Sequence, residues 1–251
     1  MVLQLAKGVT IPEDIKPAEW LLHCLPKRTR STGTLVESVI PNVFEEYARV
    51  FHPAEDDEGH GTVRWSEVAA WSGRSVHTEM QWESIRQPVC PSLAPKPWRT
   101  EPMLGRCPRE VLISLTELLS VHTTTPQRCW VCFWEGFAGI NEAIQRINEV
   151  VPRIQLPDRG YYLLNVPLAQ IAKGVFIDQN GFEPISPSLW WPDDRTWCVA
   201  TEIDFRWTYV GGSQVCIHEL LADTRLEDLA TKPEHRGDYS SDVINGPVSP
   251  Y

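Results

Sequence analysis

Two carboxylates near the end of the chain have the residue types and spacing that could do chemistry. Glu202 and Asp204 stand two residues apart in the stretch 197–205, where the residues alternate between two faces at the period of a β-strand. Two carboxylates on one strand face could bind a metal or divide the roles of general acid and base. The same pattern also fits a sheet with one solvated face, in which these acids only meet water. Arg195 and Arg206 are close in sequence and could pair with them, which would make the network structural.

Two adjacent tryptophans precede this stretch, in the segment Trp190-Trp191-Pro192-Asp193-Asp194-Arg195. They could form a stacking platform for a ligand, or they could plug the rim of the core, because tryptophan is usually highly buried.

A turn follows the stretch, at Tyr209-Val210-Gly211-Gly212-Ser213. Its free backbone amides at a helix start could receive an anion, and ordinary capping of the helix by Ser213 explains the pattern as well. The region 190–213 therefore supplies our candidate ligand-binding residues, which are Trp190, Trp191, Asp194, Arg195, Glu202, Asp204, Tyr209, Gly212 and Ser213.

Signatures of well-known enzyme classes are missing from the sequence. It contains no phosphate-binding loop, no dinucleotide fingerprint and no nucleophile elbow. Cys129 and Cys132 have the spacing of a redox or zinc pair, but they stand in an apolar strand, so we interpret them as buried structural thiols. We expect no metal and no cofactor, and we assign no catalytic residue.

The charge and the cysteines restrict partners and compartment. The net charge is −10, from 33 acidic and 23 basic residues, and it disfavours nucleic acid as the main partner because phosphate is repelled. No secretion signal and no apolar run long enough for a membrane span are present. Seven scattered cysteines indicate free thiols in a reducing compartment, so we expect a cytoplasmic protein.

Hydrophobic periodicity predicts the elements that would position these residues. Helices are indicated after Pro108, with apolar residues from Val111 to Leu119, and after Ser213. Buried strands are indicated at 128–134 and 161–166. Because strands and helices are interspersed without strict βαβ repetition, the predicted class is mixed α+β, with a mainly antiparallel sheet and helices packed on one face.

The predicted organisation is one α+β domain over residues 41–230. An N-terminal extension covers residues 1–40, and a C-terminal tail covers 231–251. Six prolines make 87–108 a linker or a long surface loop.

Several motifs resemble a family of uncharacterised actinobacterial proteins. They are the stretch 191–204, the turn 209–213, Leu221-Ala222-Asp223, and the segments 47–53 and 63–71. The resemblance implies a bacterial intracellular setting and brings no activity with it.

Two functional hypotheses remain open at this point. The favoured one is a non-enzymatic binding or protein-interaction module, with a protein partner or a small-molecule ligand. The alternative is a small-molecule or metal-dependent enzyme that uses the carboxylate pair, so the sequence does not decide whether the protein is an enzyme.

Overall fold

The computed structural model describes residues 3–26, 34–56, 61–90, 95–147, 150–178 and 185–246. Its strands are β1 (Leu3–Leu5), β2 (Glu46–Phe51), β3 (Ala54–Glu55), β4 (Thr62–Val63), β5 (Cys129–Trp134), β6 (Arg153–Gln155), β7 (Gly160–Val166), β8 (Phe176–Asp178), β9 (Leu189–Pro192), β10 (Cys198–Ala200), β11 (Trp207–Gly212) and β12 (Asp228–Thr231). Its α-helices are α1 (Glu19–Cys24), α2 (Trp65–Ser72), α3 (Trp82–Ile85), α4 (Arg109–Leu119), α5 (Ile140–Gln145), α6 (Leu168–Ile171) and α7 (Gln214–Leu221). None of these helices has the length and apolar character that crossing a membrane requires.

An antiparallel sheet of eight strands organises the molecule. Its order is β12–β2–β11–β10–β9–β5–β7–β6, and β1–β8 and β3–β4 form two small two-stranded sheets. Every neighbouring pair in the large sheet runs antiparallel. The mixed α+β class and the predicted elements α4, β5, β7 and α7 are confirmed.

Helices cover both faces of the large sheet, where helices on one face were expected. α4, α5, α6 and α7 pack on the face that carries Val50, Val131 and Val199. α1, α2 and α3 pack on the face that carries Phe51, Cys132 and Trp191. The physical reason is that the central strands are apolar on both sides, so each face must be covered to leave water.

The long alternating strand expected at 197–205 is shorter in the structure. β10 ends at Ala200, and the backbone N–H of Phe205 donates to the carbonyl oxygen of Glu202 at 3.0 Å, which closes a turn. The chain then reverses, and β11 pairs with β10 so that Val210 lies opposite Val199. Glu202 and Asp204 therefore lie in a connection between two strands and share no strand face.

Segments at both ends of the chain pack against the sheet. Leu3 pairs with the strand β8, and the side chains of Leu21 and Val36 are fully buried. Near the C-terminus, Asp242 is fully buried and accepts hydrogen bonds from His77 Nε2 at 2.8 Å and from the backbone N–H of Gln81 at 3.0 Å.

The proline-rich stretch 87–108 is tied to the core within its described part. Trp98 is buried in the cluster on one side of the sheet, and Cys107 is buried in the cluster on the other side. The chain therefore crosses from one face to the other before α4 begins.

The edge strand β12 makes the stability of the fold depend on pH. Burial, together with the carboxylates of Asp223 and Glu227, raises the pKa of Asp228 to about 7. The folded state thus retains a proton that the unfolded chain releases near pH ~4. The free energy of unfolding should consequently fall as the pH rises from about 4 to about 7.

We expect the variant Asp228→Asn to lose this dependence, because the amide stays neutral at every pH. It should be more stable than the wild type at pH ~8 and similar to it at pH ~4. Urea denaturation at the two pH values measures the difference. A variant that follows the wild-type pH profile would contradict the assignment to Asp228.

Candidate functional site

The two adjacent tryptophans lie on opposite faces of the sheet. Trp190 packs edge-on to Trp197 at a centroid distance of 5.3 Å, in the cluster on the α4 side. Trp191 packs edge-on to Trp20 at 5.7 Å, in the cluster on the α1 side. Both side chains are fully buried. Successive residues of a strand point to opposite faces, so β9 places them in the core and they form no stacking platform.

Asp194 fastens a loop. Its carboxylate accepts hydrogen bonds from Thr123 Oγ1 at 2.9 Å, from the backbone N–H of Thr124 at 2.7 Å and from Thr196 Oγ1 at 3.0 Å. Burial alone would raise the pKa of Asp194, but these hydrogen bonds hold it below its usual value. The next residue, Arg195, has a φ of 54° and lies over the Trp20 ring at 5.4 Å.

The turn at Ser213 begins helix α7, and protein groups already occupy the amides that an anion would need. Ser213 Oγ accepts from the backbone N–H of Cys216 at 3.2 Å. The carboxylate of Glu45 accepts from the backbone N–H of Gln214 at 2.8 Å. Gly212 and Tyr209 are buried within β11. Ordinary helix capping therefore describes this turn.

Glu202 and Asp204 meet at one cation that the sequence did not indicate. Arg159 Nη2 lies 3.0 Å from Glu202 Oε1 and 2.8 Å from Asp204 Oδ2. The Glu202 side chain is 4% exposed, whereas that of Asp204 is 56% exposed. Arg206, one of the two expected partners, pairs instead with Glu101 at 2.8 Å. The arrangement is an ion-pair network between the turn before β7 and the end of β10.

We expect the two carboxylates to differ sharply in their effect on stability. Glu202→Gln should lower the free energy of unfolding by about 2 kcal/mol, because it breaks a buried ion pair. Asp204→Asn should lower it by less than about 0.5 kcal/mol, because its pair with Arg159 is exposed to solvent. Urea denaturation of both variants provides the measurement. Equal losses would contradict the structural role assigned to Glu202.

A buried arginine lies on β2, the second strand from one edge of the large sheet. Arg49 on β2 is fully buried, and its Nη1 donates to the carbonyl oxygen of Thr78. Its guanidinium carbon lies 3.7 Å from the ring centroid of Trp207, 5.0 Å from Phe51 and 5.9 Å from Trp65. We call these three rings the aromatic box. Loss of hydration lowers the pKa of Arg49 to about 10, so the side chain stays charged at neutral pH.

The aromatic box should stabilise the folded protein more with a guanidinium at position 49 than with an ammonium or an uncharged side chain. Arg49→Lys is expected to lower the free energy of unfolding by about 2–4 kcal/mol, because an ammonium is more strongly hydrated and stacks less well on aromatic faces. Arg49→Met should cost less, since an uncharged side chain loses no charge hydration on burial. Chemical denaturation ranks the two variants. A lysine variant as stable as the methionine variant would contradict this account.

A surface groove of about 510 Å³ lies between α4 and α6, and the sequence did not single it out. One side is formed by α4, with Arg109, Ile113, Thr116 and Glu117, and by Ser120 directly after it. The other side is formed by residues of α6 and its surroundings, namely Pro126, Gln127, Leu168, Ala169, Ala172 and Lys173. Because α4 has 11 residues, the groove follows a helix about 16 Å long.

The charged side chains around this α4–α6 groove differ in whether they have ion-pair partners. Glu117 pairs with Arg225, which leaves that carboxylate compensated. Within the described ranges, neither Arg109 nor Lys173 has an ion-pair partner. Ile113 in the groove is 39% exposed. The one sequence signal for this surface is Ile113, an apolar residue on the polar side of α4.

Cys129 and Cys132 form no redox pair. All seven are free thiols, and Cys129 and Cys132 are buried in the clusters on opposite sides of the sheet. Burial raises the pKa of Cys129 to about 12, so its thiol stays protonated and unreactive at neutral pH. Across the described part of the chain, no three His, Cys, Asp or Glu residues are grouped as a metal site.

Comparison of the chain with protein-family models, with curated proteins and with solved structures gave no match.

Proposed function

We propose that the protein is a non-enzymatic interaction module that binds an acidic, amphipathic segment of a protein partner in the α4–α6 groove. One observation carries the proposal. A chain with a net charge of −10 places two cations without ion-pair partners in its described ranges, Arg109 and Lys173, beside an exposed apolar surface.

The chemistry of the groove selects the partner. Ile113, Ala169 and Ala172 offer apolar surface that would leave water when a segment docks. Carboxylates of the partner would meet Arg109 and Lys173, and complementary charge favours both the encounter and the register of binding. A partner segment that carries apolar residues on one side and acids on the other fits both features.

The paired-carboxylate enzyme is the weaker hypothesis. Glu202 is buried and Asp204 shares the same arginine, so the pair holds a turn in place. A cytoplasmic location belongs to the proposal as well, because free thiols persist in a reducing compartment. Membership of the uncharacterised actinobacterial family remains a proposal of the same kind, and it carries no activity.

A display library of random peptides tests the docking surface. Selection on the wild-type protein should enrich peptides with apolar residues at helical spacing together with Asp or Glu. Their affinity, measured by fluorescence polarisation, should fall between about 50 mM and about 500 mM salt, because the charges that meet lie at the protein surface. Ile113→Glu should weaken binding at least about tenfold, through lost apolar contact and repulsion of the acidic peptide.

A matched control is available on another helix. Val215 on α7 is 61% exposed and lies outside the groove, so Val215→Glu adds the same charge and should leave binding unchanged. The proposal fails if the enriched peptides lack acids or bind Ile113→Glu as tightly as the wild type. It also fails if nothing is enriched.

A further inference from the structure

A second, smaller cavity shares no lining residue with the α4–α6 groove. It has a volume of about 60 Å³ and lies between α3, the start of β11 and the C-terminal segment. A volume of about 10–15 Å³ on this scale holds one water molecule, so there is room for about four to six. A six-membered ring has a comparable number of non-hydrogen atoms.

Aromatic side chains form the walls of this cavity. They come from three separate parts of the chain, as Trp82, Phe205, Trp207 and Tyr239. Phe205 stacks on Trp207 with a centroid distance of 4.2 Å and an interplanar angle of 21°. Tyr239 is 50% exposed and so forms the wall nearest the solvent. Flat aromatic walls favour a flat aromatic guest, because stacked and edge-on ring pairs add to the gain from apolar burial.

Two wall residues have an unused hydrogen-bond donor. Trp82 is 1% exposed and Trp207 is 3% exposed, and neither indole N–H meets an acceptor in the part of the chain that the structure describes. A buried donor without an acceptor costs free energy that a ligand carrying an acceptor could recover. The ligand should therefore bear a lone pair on its ring.

The charges near the cavity favour neither kind of ion. Glu83 and Asp204 line it, and each carboxylate is paired with an arginine outside the described lining, Glu83 with Arg86 and Asp204 with Arg159. The cation in the described lining, Arg206, is held by Glu101 and by the carbonyl oxygen of Pro102, so an anion would find no free cation there.

The guanidinium of Arg49, which lies against the Trp207 ring, disfavours a cationic ligand. The guanidinium of Arg49 lies 3.7 Å from the centroid of Trp207, so a second positive charge beside that ring would be repelled. The charges around the cavity therefore favour an uncharged ligand.

We propose that this cavity binds a small uncharged heteroaromatic ring with a ring-nitrogen acceptor. The ring fills the space between Trp82, Phe205 and Tyr239, and substituents of the ring remain at the open mouth. This site is independent of the α4–α6 groove, so either can fail without the other.

Three matched probes test the proposal, with binding measured by saturation-transfer NMR and by titration of tryptophan fluorescence. Nicotinamide has the ring nitrogen, benzamide lacks it, and nicotinate adds a negative charge. The dissociation constant of nicotinamide should be at least about fivefold lower than that of benzamide, a difference that one hydrogen bond supplies. Nicotinate should bind more weakly than nicotinamide. Equal binding of nicotinamide and benzamide, tighter binding of nicotinate, or no saturation transfer to any probe would overturn the proposal.

Variants locate the binding in this cavity. Tyr239→Ala removes the exposed wall and should weaken nicotinamide at least about fivefold, whereas Tyr239→Phe keeps the ring and should retain binding. Trp82→Phe removes one of the two unused donors and should narrow the difference between the affinities for nicotinamide and benzamide. Because Trp82 is buried, circular dichroism must first show that this variant is folded. If the Trp82→Phe variant is unfolded, the comparison of Tyr239→Ala with Tyr239→Phe still tests the proposal. Unchanged binding of nicotinamide to Tyr239→Ala would overturn it.

Discussion

The buried guanidinium of Arg49 is the constraint on which one half of the structure depends. Removing a charged side chain from water costs several kcal/mol even after relaxation, and no carboxylate of the described residues forms an ion pair with this one. The ring faces of Trp207, Phe51 and Trp65 replace part of its hydration, and a desolvated cation–π contact contributes about 2 kcal/mol. These contacts require β2, β11 and α2 to hold fixed positions around one another.

The C-terminal segment completes this half of the molecule. Gly237 packs so closely on Tyr209 that an added Cβ would lie 2.8 Å from the tyrosine hydroxyl. Asp242 anchors the segment, and hydrogen bonds from His77, Gln81 and Asn245 outweigh the effect of burial and lower the pKa of Asp242 to about 2. Its contribution to stability is present above pH ~4 and is lost as the pH falls towards about 2. The segment thereby keeps Tyr239 at the small aromatic cavity.

The sequence predicted elements well where one apolar stripe or one apolar run decided the structure. α4 has such a stripe, and β5 and β7 have such runs. It failed at 197–205, because alternation alone cannot show where a strand stops and a turn begins. The turn depends on the backbone bond from Phe205 to Glu202 and on Arg159, which is distant in sequence. Coverage of both faces follows from central strands such as β5 and β9, which are apolar on both sides.

The candidate surfaces show the same division. Arg49 stands between Tyr47 and Phe51 on one strand face, and a charged residue on an otherwise apolar face is a signal that the sequence did carry. The α4–α6 groove and the aromatic cavity join residues from separate parts of the chain, so only the fold reveals them.

The central claim is that a charged arginine, enclosed by aromatic rings, organises this half of the sheet. Nitrogen-15 NMR of the arginine side chains tests it most directly. The account predicts one Nε–H signal that persists at neutral pH, exchanges slowly with water and is displaced by ring currents, and it assigns that signal to Arg49. An Arg49 Nε–H signal that exchanges as fast as those of the exposed arginines, with no ring-current displacement, would contradict the account.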